Sequence, residues 1–249
     1  DNKYIGKFLK DFKEAQLFTF GESKNNDIFY KNYETDLEGT KFVFGTHDKD
    51  LVLEFTNAIL PKVYQEVFAS SILTAFYLGL KFPQIKESLK NNFILPKGRS
   101  SIFPGIRNTV IIDSTYNASK NSVLSFLDLL SKLKESSGKK ASFLMGDMRE
   151  LGGQAEKEHK EVALKINQAV DYLYCVGPLT QKYVIPNVNK NRLKEVSWFE
   201  TSLEAGEYLK NNLPENSILL AKGSQNEIFL EEAVKEVLLN PEDIEKLCR

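Results

Sequence analysis

Thr109-Val110-Ile111-Ile112-Asp113-Ser114-Thr115-Tyr116-Asn117-Ala118-Ser119 is the stretch on which the fold turns. A β-branched run ending in aspartate and a polar, turn-forming segment predicts a buried strand, Thr109–Asp113, that feeds a helix capped at Ser119. The helix is expected over Ser119–Glu135, where Val123, Phe126, Leu127, Leu130 and Leu133 form one apolar stripe. The same alternation continues downstream. Strands are expected at Ala141–Met145, Tyr172–Val176, Glu195–Phe199 and Ser217–Ala221, and helices at Glu156–Val170, Ser202–Asn211 and Glu227–Leu239. Alternating strands and helices build a mainly parallel sheet covered on both faces, so this part of the chain is predicted to be α/β.

Upstream, Leu95-Pro96-Lys97-Gly98 breaks regular structure and sets a boundary between domains 1–97 and 98–249. Before it, aromatic and β-branched runs predict short strands at Leu17–Phe20, Asp27–Tyr30, Lys41–Phe44 and Leu51–Phe55. The polar turn Thr46–Asp50 makes the last two a hairpin. Between Tyr64 and Leu80 the period becomes helical, with Val67, Phe68, Ser71, Ile72, Ala75 and Phe76 on one side. A second short helix is expected after Pro83, carrying Ile85 and Leu89 on one face. The chain opens at Asp1, next to a helix expected at Tyr4–Lys13, and reads as a fragment.

Composition narrows the function classes. Lys and Arg number 33 against 34 Asp and Glu, a balance that argues against a dedicated nucleic-acid binder. The two cysteines, Cys175 and Cys248, form no disulfide or zinc pattern. No apolar run approaches the roughly 18 residues of a membrane span, and no signal peptide opens the chain, so a cytoplasmic location is expected.

In open α/β sheets, ligands gather outside the carboxyl ends of the strands. That rule selects Asp113–Ser119, Gly146–Gly152 and Lys222–Asn226. If strand order brings them together, they form one polar rim. Asp113 can accept bonds from ribose hydroxyls or orient a cation, while Tyr116 and Asn117 can contact a polar ligand. On spacing alone the segment reads more readily as a loop of caps and turns. Lys222 and Ser224 place a cation and a hydroxyl at a strand end, and the alternative is a βα turn with a solvated lysine. Arg99, beside Gly98, can reach phosphates or simply pair with a carboxylate. His159, inside Glu156-Lys157-Glu158-His159-Lys160-Glu161, is expected to be a solvated surface residue rather than a catalyst.

Gly98-Arg99, Asp113-Ser114-Thr115-Tyr116-Asn117-Ala118-Ser119, Gly146-Asp147-Met148-Arg149-Glu150-Leu151-Gly152, Glu158-His159-Lys160-Glu161-Val162 and Lys222-Gly223-Ser224 follow one another in order. This resembles the Mur ligase family, in its branch of UDP-N-acetylmuramoyl-tripeptide–D-alanyl-D-alanine ligases, over about residues 98–239. The resemblance implies a Rossmann-like C-terminal domain at 98–249, preceded at 1–97 by the end of a central ATPase domain. It implies an ATP-dependent, magnesium-assisted amide ligation in peptidoglycan synthesis, through an acyl phosphate. The partners would be UDP-N-acetylmuramoyl-peptide and D-Ala-D-Ala. Arg99 and Asp113 would contact the nucleotide, and Tyr116, Asn117, Lys222 and Ser224 the amine substrate and acyl phosphate. No residue of the chain is assigned a catalytic or metal-binding role. The sequence departs from the family at three places. It has no Gly-x-x-x-x-Gly-Lys-Ser/Thr phosphate loop, it has Pro61-Lys62 where a His-Asn pair is usual, and it has Gln225-Asn226 where Arg-Gly is usual. These departures leave open a non-catalytic or reassigned Mur-like binding protein, or a relative of folylpolyglutamate or cyanophycin synthetases.

Overall fold

A computed structural model describes residues 17–56 and 58–248; the helix expected at Tyr4–Lys13 lies outside them. The chain divides into two compact units, Asp1–Ile94 and Leu95–Arg249.

The first unit holds a four-stranded sheet in the order β1 (Phe20–Gly21), β2 (Ile28–Thr35), β3 (Gly39–Gly45), β4 (Asp50–Thr56). β1 runs parallel to β2, and the other pairs are antiparallel. The β3–β4 hairpin turns where Thr46 closes on Lys49, as the polar segment there predicts. Alternation in β4 is clean: Leu51, Leu53 and Phe55 face inward. They meet helix α1 (Tyr64–Tyr77), followed by α2 (Phe82–Asn92) with its proline in the first turn. An aromatic cluster joins these layers, with Phe55 stacked on Phe68 at 4.8 Å and Phe42 5.4 Å from both Tyr33 and Phe68. The buried face of α1 is Gln65, Phe68, Ala69, Ile72 and Leu73. This is rotated from the expected stripe, since Val67 is 51% exposed.

In the second unit, a six-stranded sheet is built from β5 (Ser101–Gly105), β6 (Thr109–Ser114), β7 (Lys140–Gly146), β8 (Tyr172–Val176), β9 (Glu195–Phe199) and β10 (Ser217–Lys222). Their spatial order is β5-β6-β10-β7-β8-β9. Five of the strands are parallel, while β5 is antiparallel to β6. The helices between them are α3 (Lys120–Ser137), α4 (Ala155–Ala169), α5 (Pro178–Tyr183) and α6 (Ser202–Asn212), and α7 (Glu231–Lys235) follows β10. The chain passes from β6 through α3 to β7 and outward to β9, then returns through α6 to insert β10 between β6 and β7. That insertion is a topological switch point, and it makes the strand ends of β6, β10 and β7 immediate neighbours. Every residue of β10 is buried, as a central parallel strand requires.

Several elements differ from the sequence expectation: β1 is confined to Phe20–Gly21, and α5 has no counterpart among the expected helices. The helix expected at Glu227–Leu239 shrinks to Glu231–Lys235, because Glu227 and Phe229 adopt left-handed backbone (φ 67° and 49°). Beyond it Leu238 bridges to Gly105 on the outer side of β5. β5, which contains Pro104, has no counterpart among the expected strands. The proline is tolerated because its carbonyl points away from β6 and accepts Leu239 N–H at 3.0 Å, so no donor is lost from the ladder to β6.

Candidate functional site

Three loops meet at the carboxyl ends of β6, β10 and β7. Lys222, the last residue of β10, reaches across to the β6 loop: its Nζ donates to the Asn117 carbonyl at 2.8 Å and to Ser114 Oγ at 3.2 Å. The ammonium also lies 4.8 Å from the centre of the Phe126 ring. Ser224 Oγ donates toward Asn117 Oδ1 at 3.3 Å and accepts the Arg149 N–H at 3.0 Å, while Ser224 N–H donates to the Asp147 carbonyl at 2.9 Å. One lysine and one serine thus tie the three segments into a single rim.

Gly223 is what lets the strand ends approach. A Cβ there would sit 2.8 Å from Gly146 Cα and 2.7 Å from Leu230 Cδ1, and the first contact is main chain that must move. Gly223→Ala is expected to cost about 1–3 kcal/mol of stability by overpacking, read as a lower denaturation midpoint at unchanged m-value. An unchanged midpoint would show that the rim is loosely held.

The six residues singled out by sequence divide into two groups. Arg99, Tyr116 and Asn117 are exposed, with the Arg99 guanidinium carbon 4.4 Å over the Tyr116 ring. Asp113, Lys222 and Ser224 are buried, at 0%, 3% and 5% exposure. Lys222 is therefore not the solvated lysine of a simple βα turn, and two of its ammonium donors are used on the protein. The Asp113 side chain is enclosed by the protein. Asp113 Oδ1 accepts Thr115 Oγ1–H at 2.7 Å and Thr115 N–H at 3.1 Å, while Oδ2 has no hydrogen-bond partner.

Burial shifts both charged groups. Desolvation raises the Asp113 carboxyl from 3.8 to about 6, against the lowering effect of its two bonds from Thr115 and of the Lys222 charge. Desolvation lowers the Lys222 ammonium from 10.5 to about 7, helped by the Arg99 charge and opposed by Asp113. Above Asp113, Thr115 Oγ1 lies 3.7 Å from Cys248 Sγ. Gly98 is left-handed (φ 67°), and its carbonyl accepts Tyr116 N–H at 3.2 Å; Cys248 Sγ fills the place a Cβ would need. Arg99 is therefore carried on a glycine turn bonded directly to the β6 loop.

The β7 loop is held by two groups that sequence reasoning passed over. Asp147 is buried, and its carboxylate accepts Thr180 N–H at 2.8 Å and Leu179 N–H at 3.1 Å, satisfying the first turn of α5. Burial raises its pKa, and the two backbone bonds work against that rise. His159 is fully buried rather than solvated. Its Nε2 accepts Met148 N–H at 3.1 Å, and Nδ1 donates to the Ala155 carbonyl at 2.7 Å, which together fix a neutral, Nδ1-protonated ring. Desolvation lowers its pKa below 6.5, in keeping with that state. The signal was in the sequence: His159 precedes Val162, Ala163, Ile166 and Ala169 on the buried face of α4.

In the first unit, Pro61 is buried and the Lys62 ammonium lies 4.0 Å from Glu22 on the surface. Among the described residues, no group of three or more His, Cys, Asp or Glu side chains converges to hold a metal ion, and no helix is long and apolar enough to cross a membrane.

Comparison with known proteins adds a family to this geometry. The chain is 28% identical over 248 residues to the UDP-N-acetylmuramoyl-tripeptide–D-alanyl-D-alanine ligase of Buchnera aphidicola (subsp. Acyrthosiphon pisum, strain APS), covering 95% of the chain and 51% of that protein. It is 27% identical over 244 residues to the ligase of the same name from Bacillus subtilis (strain 168), with 96% and 51% covered. The chain thus spans about half the length of the curated relatives it matches. The crystal structure of MurF ligase from Thermotoga maritima in complex with ADP shares the fold, with a TM-score of 0.75 at 19% identity over 94% of this chain and 52% of that one. Residues 98–225, just over half of the chain, match the description "Mur ligase, glutamate ligase domain". By this match, which takes in all three loops of the rim except the end of the last, the chain belongs to the Mur ligase family.

Proposed function

We propose that the chain is the acceptor-binding half of an ATP-dependent amide ligase that joins D-Ala-D-Ala to a UDP-N-acetylmuramoyl-tripeptide in peptidoglycan synthesis. The carrying observation is the polar rim at the switch point, where the ends of β6, β10 and β7 bring Asn117, Ser224 and Asp147 into one hydrogen-bonded group. Residues 1–97 would close a nucleotide-binding unit, and 98–249 would form the α/β domain that presents the acceptor. ATP would transfer its γ-phosphoryl group to the peptide carboxylate, releasing ADP. The dipeptide amine would then form the C–N bond as the C–O bond to phosphate breaks, and the nitrogen would lose its proton.

Positioning and charge neutralisation are the protein's part in such chemistry. Arg99 would meet phosphate oxygens; its side chain is exposed, with the guanidinium carbon 4.4 Å over the Tyr116 ring. Tyr116 and Asn117, both exposed on the β6 loop, would contact the amine substrate. Asp113, Lys222 and Ser224 would act through the loop, by fixing its shape. Magnesium finds no cluster of ligands among the described residues, so no step is assigned to it on this chain.

Two measurements on the purified chain test the proposal. Calorimetric titration should show binding of D-Ala-D-Ala but not of L-glutamate, the acceptor expected of a folylpolyglutamate-type relative. The chain alone should hydrolyse no ATP, because its sequence holds no phosphate loop. Glutamate binding in place of the dipeptide, or steady ATP turnover, would overturn the assignment.

A further inference from the structure

We infer that Arg149 receives the free carboxylate of the acceptor, in the cavity beside the carboxyl end of β7. The inference rests on the acceptor reading proposed above and names the contact that would hold one end of that acceptor.

The cavity has a volume of about 330 Å³ and is lined by the loop Asp147–Gly152 together with Ala155, Pro178 and Leu179. Arg149 is the one cation among these described lining residues. Asp147, the buried acid of the lining, has both carboxylate oxygens engaged by the amides of Leu179 and Thr180. Glu150, the other acid, is exposed on left-handed backbone (φ 61°). Arg149 is anchored to the rim by its main chain, whose N–H donates to Ser224 Oγ at 3.0 Å. Ser224 in turn touches Asn117 Oδ1 at 3.3 Å. An extended dipeptide places its carboxylate about 7 Å from its amine. A dipeptide of that length held at Arg149 would have its amine free to extend from the β7 loop, whose main chain is bonded to Ser224.

The guanidinium is available for exchange. Its present partner is Glu227, at 2.6 Å, whose side chain is 75% exposed. Exposed pairs of this kind are weakly held, whereas a carboxylate entering a partly enclosed cavity can engage the guanidinium fork through two parallel bonds. Glu227, which is not among the residues lining the cavity, is the exposed anion that a ligand carboxylate would displace from Arg149.

The test titrates the 249-residue chain with D-alanyl-D-alanine and with its C-terminal amide. The acid is expected to bind about tenfold or more tightly than the amide. Arg149→Ala should erase that preference, and Arg149→Lys should keep part of it, because an ammonium is a point charge without the fork. Glu227→Gln should tighten binding of the acid severalfold and leave the amide unchanged, since it removes a competing carboxylate. If Arg149→Ala fails to fold, the lysine and Glu227→Gln arms decide. Equal binding of acid and amide, or a preference that survives in Arg149→Ala, overturns the role of Arg149 while leaving the acceptor reading intact. Binding of neither compound by the wild type overturns the acceptor reading and this inference with it.

Discussion

Asp113→Asn is expected to stabilise the protein at pH 7 by about 2–3 kcal/mol, an unusual sign for a substitution at a fully buried polar position. The Asp113 carboxyl is raised to about 6 in the folded chain from 3.8. The folded state therefore binds the extra proton between those values. The stabilisation associated with that proton is complete below pH 3.8 and is lost as pH rises through about 6. At neutral pH the native state carries a buried carboxylate with one oxygen unpartnered. Asparagine keeps an oxygen for the two Thr115 bonds and removes the charge. Lys222 titrates in the opposite sense. Its folded value of about 7 lies below 10.5, so its contribution to stability grows as pH rises from 7 towards 10.5. The pair is consequently most costly near pH 6–7. Denaturant melts of wild type and Asp113→Asn from pH 4 to 8 check this: the difference should open between pH 4 and 6 and then level off. A variant that is less stable at pH 7 would refute the argument. If Asp113 shapes the rim as proposed, the same variant should bind the dipeptide less well, because function and stability then pull the residue in opposite directions.

His159→Ala is expected to destabilise the fold by about 2–4 kcal/mol, combining a buried amide left without an acceptor and a cavity at the base of α4. The Met148 N–H loses its partner, and with it the Gly146–Gly152 loop loses the bond that sets its path. His159→Gln should recover part of the loss, because its amide oxygen can accept from Met148. The pH dependence distinguishes this role from simple packing. The ring stays neutral when folded while the unfolded chain protonates below 6.5, so stability is full above 6.5 and declines as pH falls below it. Measured as the wild-type-minus-glutamine difference, this slope should vanish in the variant. An exposed histidine, as the charged neighbours suggest at first sight, would show neither the loss nor the slope.

These two residues also mark the limit of what the sequence disclosed. The parallel strands and α3, α4 and α6 could be located because long apolar runs and 3.6-residue stripes record burial directly, whereas the six-residue α5 is too short to show such a stripe. Strand order could not, yet the site depends on it. Only the insertion of β10 between β6 and β7 makes Asp113, Asn117 and Lys222 neighbours. The division of the six candidates into exposed and buried sets was likewise hidden, because it follows from how far the Lys222 side chain reaches across the sheet top. α7 was overestimated because an apolar run suits a helix as well as the extended segment that Leu238 joins. β5 was overlooked because proline usually argues against a strand, and only the outward direction of Pro104 lifts that objection.

The segment running alongside β5 has a consequence for self-association. Ile106 and Leu239 donate main-chain bonds to the Val237 and Pro104 carbonyls across that side, so the polar backbone there is already engaged. Template-directed growth, in which a foreign chain adds itself to a sheet by main-chain pairing, is blocked at this flank. Any polymer formed by such addition to the six-stranded sheet would have to start at β9, and charged substitutions there would be the economical way to keep a concentrated preparation monodisperse.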